Sequence, residues 1–301
     1  MSNNNIMRKI ILSIIVIFIV IFIVIFILLI YKQFQIETYE NKTQNPKFPK
    51  RVWLLWLQGW ENAPWLQKQV AKSWEIQNPD WKIEYLDKNN LKNYIQDIDY
   101  IYDPNKQISP QAKSDIVRLS LLKNYGGVWA DSTLLCMQPL NNWIYEKINI
   151  CGLWMYHGTG GDLKLNDKFI GPASWFIVSE KNGYIIDKWK EKCDTYWKYN
   201  HSTDNYFWMD SLFIELYKND NYFKELWDKI PYKFCNDDGE AHTLNIHGIK
   251  NDTAFIKKKI NDNPPYVLKL WNNFNDTCSD LNSEICRNSN GYYAIRVSTK
   301  I

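Results

Sequence analysis

Apolar residues over positions 112–122 recur at helical spacing. Ala112, Ile116, Leu119 and Leu122 are four, three and three apart, which predicts a helix with one buried stripe. Asp115 and Arg118, three apart, project together from one side of that helix. Gly126-Gly127 ends it, because glycine tolerates the left-handed conformation of a C-terminal cap. The apolar run 128–130 then predicts a short strand that delivers Asp131 and Thr133 to its C-terminal end. In open α/β sheets that end is where ligands bind.

The same alternation of patterns extends both ways. Residues 52–57 are continuously apolar, as in a parallel strand buried on both faces. Leu66, Val70 and Trp74 follow Pro64 at every fourth position and predict a helix that stops at Asn78-Pro79-Asp80. Trp81, Ile83 and Tyr85 alternate with polar residues as a second strand, and a short helix is expected near 89–96. Beyond Pro139 a strand is expected through 148–154. A glycine-rich loop over 155–170 reads as a mobile acceptor-side lid or as an ordinary surface excursion. Residues 174–179 read as a further strand, and Ile185, Trp189, Cys193 and Tyr196 as a helix. Asp204 is placed as the N-cap of a helix running to about residue 218. Tyr293, Ile295 and Val297 alternate as a terminal edge strand. Strands alternating with helices predict an α/β domain around a Rossmann-like, mostly parallel sheet with flanking helices.

That domain is expected to span residues 47–301. Residues 1–9 form a basic tail, and 10–30 are almost wholly Ile, Val, Leu and Phe. At 1.5 Å per residue such a run covers a bilayer core of about 30 Å, so a transmembrane signal-anchor is expected there. Polar residues 31–46 follow as a stem linker. Arg8 and Lys9 ahead of the run favour a single-pass type II orientation with a lumenal, Golgi- or ER-like catalytic domain. A bacterial inner-membrane protein facing the cytosol is the alternative. Sequons at Asn41, Asn200, Asn251 and Asn275 suit a lumenal glycoprotein.

A formal charge of +3 gives nucleic-acid binding no support. The 15 Trp, 19 Tyr and 13 Phe are mostly large core contributors. None of the six cysteines is in a C-x-x-C pair, while Cys278 and Cys286 are close enough in sequence to close a small loop.

An Asp and an Arg on a helix, facing an Asp at a strand end, suit a sugar hydroxyl network and a phosphate. At the end of the first strand Gln58 and Trp60 fit contacts to a nucleobase, or equally a turn residue and a core ring. Asp210 lies on an otherwise apolar helix face with Phe207, Phe213, Ile214 and Tyr217, where a carboxylate must be paired or functional.

The run Ser114-Asp115 through Arg118, followed by Tyr125-Gly126-Gly127-Val128-Trp129-Ala130-Asp131, resembles the motif of the capsular polysaccharide synthesis proteins. Residues 52–64, Ser73-Trp74, Asn78-Pro79-Asp80-Trp81 and Gly171-Pro172-Ala173-Ser174-Trp175-Phe176 resemble further parts of it. That family sits with the glycosyltransferases having a DXD-containing sugar-binding region, so the resemblance implies the GT-A fold. It also implies a UDP- or GDP-sugar donor, a glycan or glycoconjugate acceptor, and transfer with retention. Carried over, Asp131 contacts ribose or metal and Asp115 and Arg118 bind the donor sugar; residues 267–271 resemble the family's late strand with its Lys-Leu pair, where Lys269 meets a phosphate or, more simply, is an exposed strand lysine. Asp210 takes an acidic position near the acceptor. A divalent cation, Mn or Mg, is implied on Asp131 with a C-terminal histidine, His247 being the candidate. The second Asp of the D-x-D pattern is Thr133 here, which puts that cation in doubt. A catalytically inactive sugar- or nucleotide-binding module that kept the fold is the alternative reading.

Overall fold

The apolar runs assemble into one central sheet. In the computed structural model the described residues are 14–15, 17–30, 32, 48–203, 205–237, 240–241, 253–272, 278 and 280–300. Strand β1 (Arg51–Leu55) is followed by helix α1 (Trp65–Gln77) and strand β2 (Lys82–Leu86), which pairs parallel to β1. Helix α2 (Pro110–Tyr125) leads to β3 (Gly127–Ala130), which pairs parallel to the other edge of β1, Val52 against Val128. Next come β4 (Leu134–Cys136), helix α3 (Ile144–Ile148), β5 (Leu153–Gly158), the small hairpin β6 (Lys164–Leu165) and β7 (Lys168–Phe169), and the long β8 (Gly171–Ser179). Helices α4 (Tyr184–Tyr199), α5 (Trp208–Asn219), α6 (Asn221–Lys229) and α7 (Thr253–Asp262) precede β9 (Val267–Lys269), α8 (Glu284–Asn288) and α9 (Asn290–Thr299).

The five-stranded sheet has the order β2-β1-β3-β8-β5. Its β1, β2 and β3 are parallel, but β8 runs antiparallel to both β3 and β5. The sheet is therefore mixed, not mostly parallel. Strand β3 is buried on both faces, and a doubly buried strand looks the same in sequence whichever way its neighbour runs. A second, two-stranded sheet joins β4 to β9 antiparallel, Leu134 against Lys269.

Helix α2 starts on Ser109, whose hydroxyl accepts from the Ala112 amide, with Pro110 in its first turn. It ends at Gly126 (φ +69°), and Gly127 follows at φ +101°. The Trp53 indole donates to the Gly126 carbonyl at 2.9 Å, and a Cβ on Gly127 would lie 2.7 Å from the Arg51 carbonyl oxygen. Helix end and strand start are thus fixed against β1.

Helix α5 opens at Trp208 on Phe207, and Asp204, expected as its N-cap, lies outside the described residues. Four further local expectations differ from the structure. Residues 144–148 are helical, and the strand begins only at Leu153. The stretch 155–170 is largely built into the fold, as β5, a tight turn at Gly160–Asp162 and the β6–β7 hairpin. In β2 the inward residues are Glu84 and Leu86, while Ile83 and Tyr85 are half-buried; Arg51 and Lys82 pair with the Glu84 carboxylate. The C-terminal aromatics lie on helix α9, not on an edge strand. Ser289 caps it, and buried Asn290, Gly291, Ala294, Ile295 and Ser298 follow helical spacing, with Tyr292 stacked on Trp65 of α1. Cys278 and Cys286 form a disulfide, whereas Cys136, Cys151 and Cys193 are free thiols.

The chain divides into two compact units, Met1–Pro46 and Lys47–Ile301. Within the first, residues 17–30 are helical with exposed apolar side chains such as Phe18 and Phe22. Among the described residues no helix is long and apolar enough to cross a membrane. Residues 10–13 and 16 of the expected anchor, the tail 1–9 and nearly all of the stem lie outside the described residues.

Gly127→Ala is expected to destabilise the Lys47–Ile301 unit by about 1–3 kcal/mol through backbone strain alone, and by more from the close approach to Arg51. A lowered denaturant midpoint checks this; an unchanged midpoint contradicts it.

Candidate active site

Asp131 is the first residue beyond β3, and its amide donates to the Trp175 carbonyl at 3.0 Å, extending the β3–β8 ladder by one step. Its carboxylate is shared by three elements. Oδ1 accepts from Arg118 Nη2 of α2 at 3.1 Å and from the Trp129 indole at 3.0 Å. Oδ2 accepts from Lys269 Nζ of β9 at 2.7 Å. Arg118 also holds Asp115 Oδ1 at 3.0 Å through Nη1, and Asp115 Oδ2 accepts from the Trp208 indole at 3.0 Å. The guanidinium lies over the Trp129 ring, 5.3 Å from its centroid.

Asp115, Arg118, Trp129 and Asp131 line a cavity of about 980 Å³ at the C-terminal end of β1 and β3. Gln58, Thr133, Asp210 and Lys269 line it too, so Gln58, Asp115, Arg118, Asp131, Thr133, Asp210 and Lys269 all share one site. Trp60 does not. Its indole donates to the Leu86 carbonyl at 3.0 Å and its ring meets the Tyr85 ring edge-on at 5.1 Å, which makes it the packing residue of the two readings. His247 lies outside the described residues.

The Lys269 side chain is only 9% exposed, against the simplest expectation for a lysine on a short strand. Its strand is tied to the Asp131 turn, because the Leu270 amide donates to the Thr133 carbonyl at 2.8 Å. Asp210 packs against the turn after β5, where a Cβ on Gly160 would lie 2.5 Å from its Oδ1; only glycine leaves that space. Sequence reasoning gave no role to Trp129, Trp208 or Gly160. A signal existed for Trp129, which is two residues from Asp131 and so shares its strand face.

The charges are strongly perturbed. Burial pushes Asp131 upward, but Lys269, then Arg118, outweigh it and hold its carboxyl below the usual range. Burial raises Asp115 to about 6, with Arg118 opposing and Asp131 reinforcing. Burial also raises Asp210 to about 7, helped by the Asp115 charge. Lys269 is lowered by burial, with Asp131 opposing. A cluster of displaced pKa values in a cavity is a mark of a functional site.

The donor set is poorly matched to a divalent cation. Both Asp131 oxygens are held by cationic groups, and Thr133 supplies a hydroxyl where a carboxylate would bind better. Among the described residues no group of three His, Cys, Asp or Glu side chains is placed to hold a metal ion. The orphaned buried polar atom here is Arg118 Nε, a donor that has no hydrogen-bond partner among the described residues. An orphaned donor calls for a ligand oxygen, not for a cation.

The family model described as capsular polysaccharide synthesis protein matches residues 24–278. "O-glycosyltransferase braB" of Annulohypoxylon truncatum is 25% identical over 166 residues, covering 49% of this chain and 38% of that protein. "Putative glycosyltransferase HOC1" of Saccharomyces cerevisiae is 26% identical over 150 residues, covering 46% and 37%. "Initiation-specific alpha-1,6-mannosyltransferase" of Candida albicans is 28% identical over 127 residues, covering 36% and 32%. The chain thus spans between 32% and 38% of the length of these curated relatives. A solved structure titled "PaToxG Glycosyltransferase" covers 79% of this chain and 97% of its own at 16% identity, with a TM-score of 0.40, too slight a likeness to carry an argument.

The raised Asp210 gives a pH test. A carboxyl whose folded pKa lies above its unfolded 3.8 favours the fold below that pH, and its contribution is lost as pH rises through about 7. Asp210→Asn, uncharged throughout, should gain stability relative to the unmodified chain between these limits, on the order of 2–4 kcal/mol. Urea midpoints of both proteins across that range check it; a constant difference contradicts it.

Proposed function

The chain belongs to the capsular polysaccharide synthesis protein family, and from that premise we propose that it is a glycosyltransferase of GT-A type. It moves a hexose-type sugar from a nucleotide-sugar donor, UDP- or GDP-linked, to a glycan or glycoconjugate acceptor, with retention. The names of its curated relatives, which include O-glycosyltransferase and α-1,6-mannosyltransferase, support the reaction class.

The observation that carries the reading is Asp131, Asp115 and Arg118 brought together in one cavity, with the buried Arg118 Nε left without a partner among the described residues. A donor sugar or phosphate oxygen satisfies that N–H, while Asp115 and Asp131 accept from sugar or ribose hydroxyls. Trp129 and Trp208 fix the two carboxylates, so these charges need no reorganisation as the donor binds. Gln58, at the end of β1, reaches the base or ribose. Asp210, which lines the same cavity beside Gly160, is assigned to the acceptor, and its pKa of about 7 suits it to exchange a proton with an attacking hydroxyl near neutral pH. The apolar run 10–30 anchors the enzyme to a bilayer, with the Lys47–Ile301 unit on the lumenal side.

Thr133 in place of a second Asp favours one other reading, a module that binds nucleotide sugar and does not turn it over. Asp131→Asn separates these possibilities when donor consumption is followed by nucleotide release. The variant should remain folded by circular dichroism, with turnover cut roughly 100-fold or more. Full turnover in the folded variant contradicts the assignment, and donor binding without release in the unmodified chain supports the inactive module.

A further inference from the structure

A departing nucleoside diphosphate needs positive charge beside it, and a bound divalent cation is one common source. This site already holds two cations against the carboxylate that such a metal would use. Lys269 Nζ is 2.7 Å from Asp131 Oδ2, and Arg118 Nη2 is 3.1 Å from Oδ1. A metal ion at bonding distance of about 2.0–2.6 Å from either oxygen would sit in contact with one of them and be repelled.

Displacing Lys269 would not remove the difficulty. Its side chain is only 9% exposed, and its backbone is fixed, because β9 pairs with β4 and the Lys269 amide donates to the Ala241 carbonyl at 3.0 Å. Its ammonium already lies 5.8 Å from the Trp175 ring centroid, and driven off Asp131 it would stay in the same cavity. It would then need a new anionic partner, because an unpaired buried charge is costly. The group entering the cavity that can supply one is the donor diphosphate. Lysine has three rotatable donors, so Lys269 can keep Asp131 on one and bind phosphate oxygens with the others.

We propose that Lys269 is the built-in cation for the donor's diphosphate, and that this protein binds nucleoside diphosphates without a divalent metal. The proposal rests on the transferase reading and specifies how that same site handles charge. Thr133 then follows naturally: with Lys269 supplying the charge, a second metal-binding carboxylate has nothing to hold.

The test is calorimetric titration of the full chain in detergent with UDP and with GDP, in EDTA and again in excess Mn²⁺. The expected result is binding of at least one nucleotide in EDTA, with a Kd within about threefold of that in Mn²⁺. Lys269→Met, which keeps the stem and removes the charge, should weaken that binding about 30-fold or more, and Lys269→Arg should restore part of it. Binding that appears only with Mn²⁺ overturns the proposal and leaves the transferase reading intact. No binding of either nucleotide in either buffer overturns both. The comparison of buffers uses the unmodified chain, so it decides the matter even if Lys269→Met fails to fold.

Discussion

The Asp131 carboxylate, gripped from one side by a helix and from the other by a strand more than a hundred residues further on, organises this domain's working end. Arg118 reaches it from α2 and Lys269 from β9, while Trp129 holds it from its own strand. Each partner is brought there by a different kind of constraint. Arg118 is set by helix periodicity and by the glycine cap that aims α2 at β3. Lys269 is set by the antiparallel pairing of β9 with β4. Buried ion pairs of this kind contribute little net stability, because desolvation offsets most of the attraction. Their effect is positional: the charged groups are held in place by one another before any ligand arrives.

The electrostatics follow from that arrangement. Two cations and two carboxylates meet in one place, yet the carboxylates behave differently. Asp131 has both cations and is held ionised; Asp115 has Arg118 and an indole, and burial lifts it. Asp210 lacks any ion pair among the described residues and is lifted furthest. Environments that drive like groups apart in pKa allow one site both to bind charge and to move a proton. On the proposed reading, Asp131 and Asp115 belong to the donor side and Asp210 to the acceptor side.

Much of this was legible in the chain. The α2–glycine–β3 unit depends on local spacing and on glycines whose positive φ the turn requires, so residues 112–131 show it directly. The parallel pairing of β1 was equally legible from its unbroken apolar run. Other features depend on contacts between distant segments. The direction of β8 is invisible in a strand buried on both faces. The burial of Lys269 needs β4 beside it. In α9 the alternation of Tyr293, Ile295 and Val297 competes with the helical set Asn290, Gly291, Ala294 and Ile295, and packing on α1 decides between them. Trp60 was ambiguous because a Trp after a strand serves a base or a core equally well; the Leu86 carbonyl claims its indole.

The central claim is that donor chemistry occurs where Asp131, Arg118 and Lys269 converge. A crystal structure of the full chain with an intact nucleotide sugar addresses it most directly. The account predicts donor oxygens within hydrogen-bond distance of Arg118 Nε and Lys269 Nζ, with a sugar or ribose hydroxyl on Asp131 or Asp115. A donor bound elsewhere on the domain, with this cluster untouched, would contradict it.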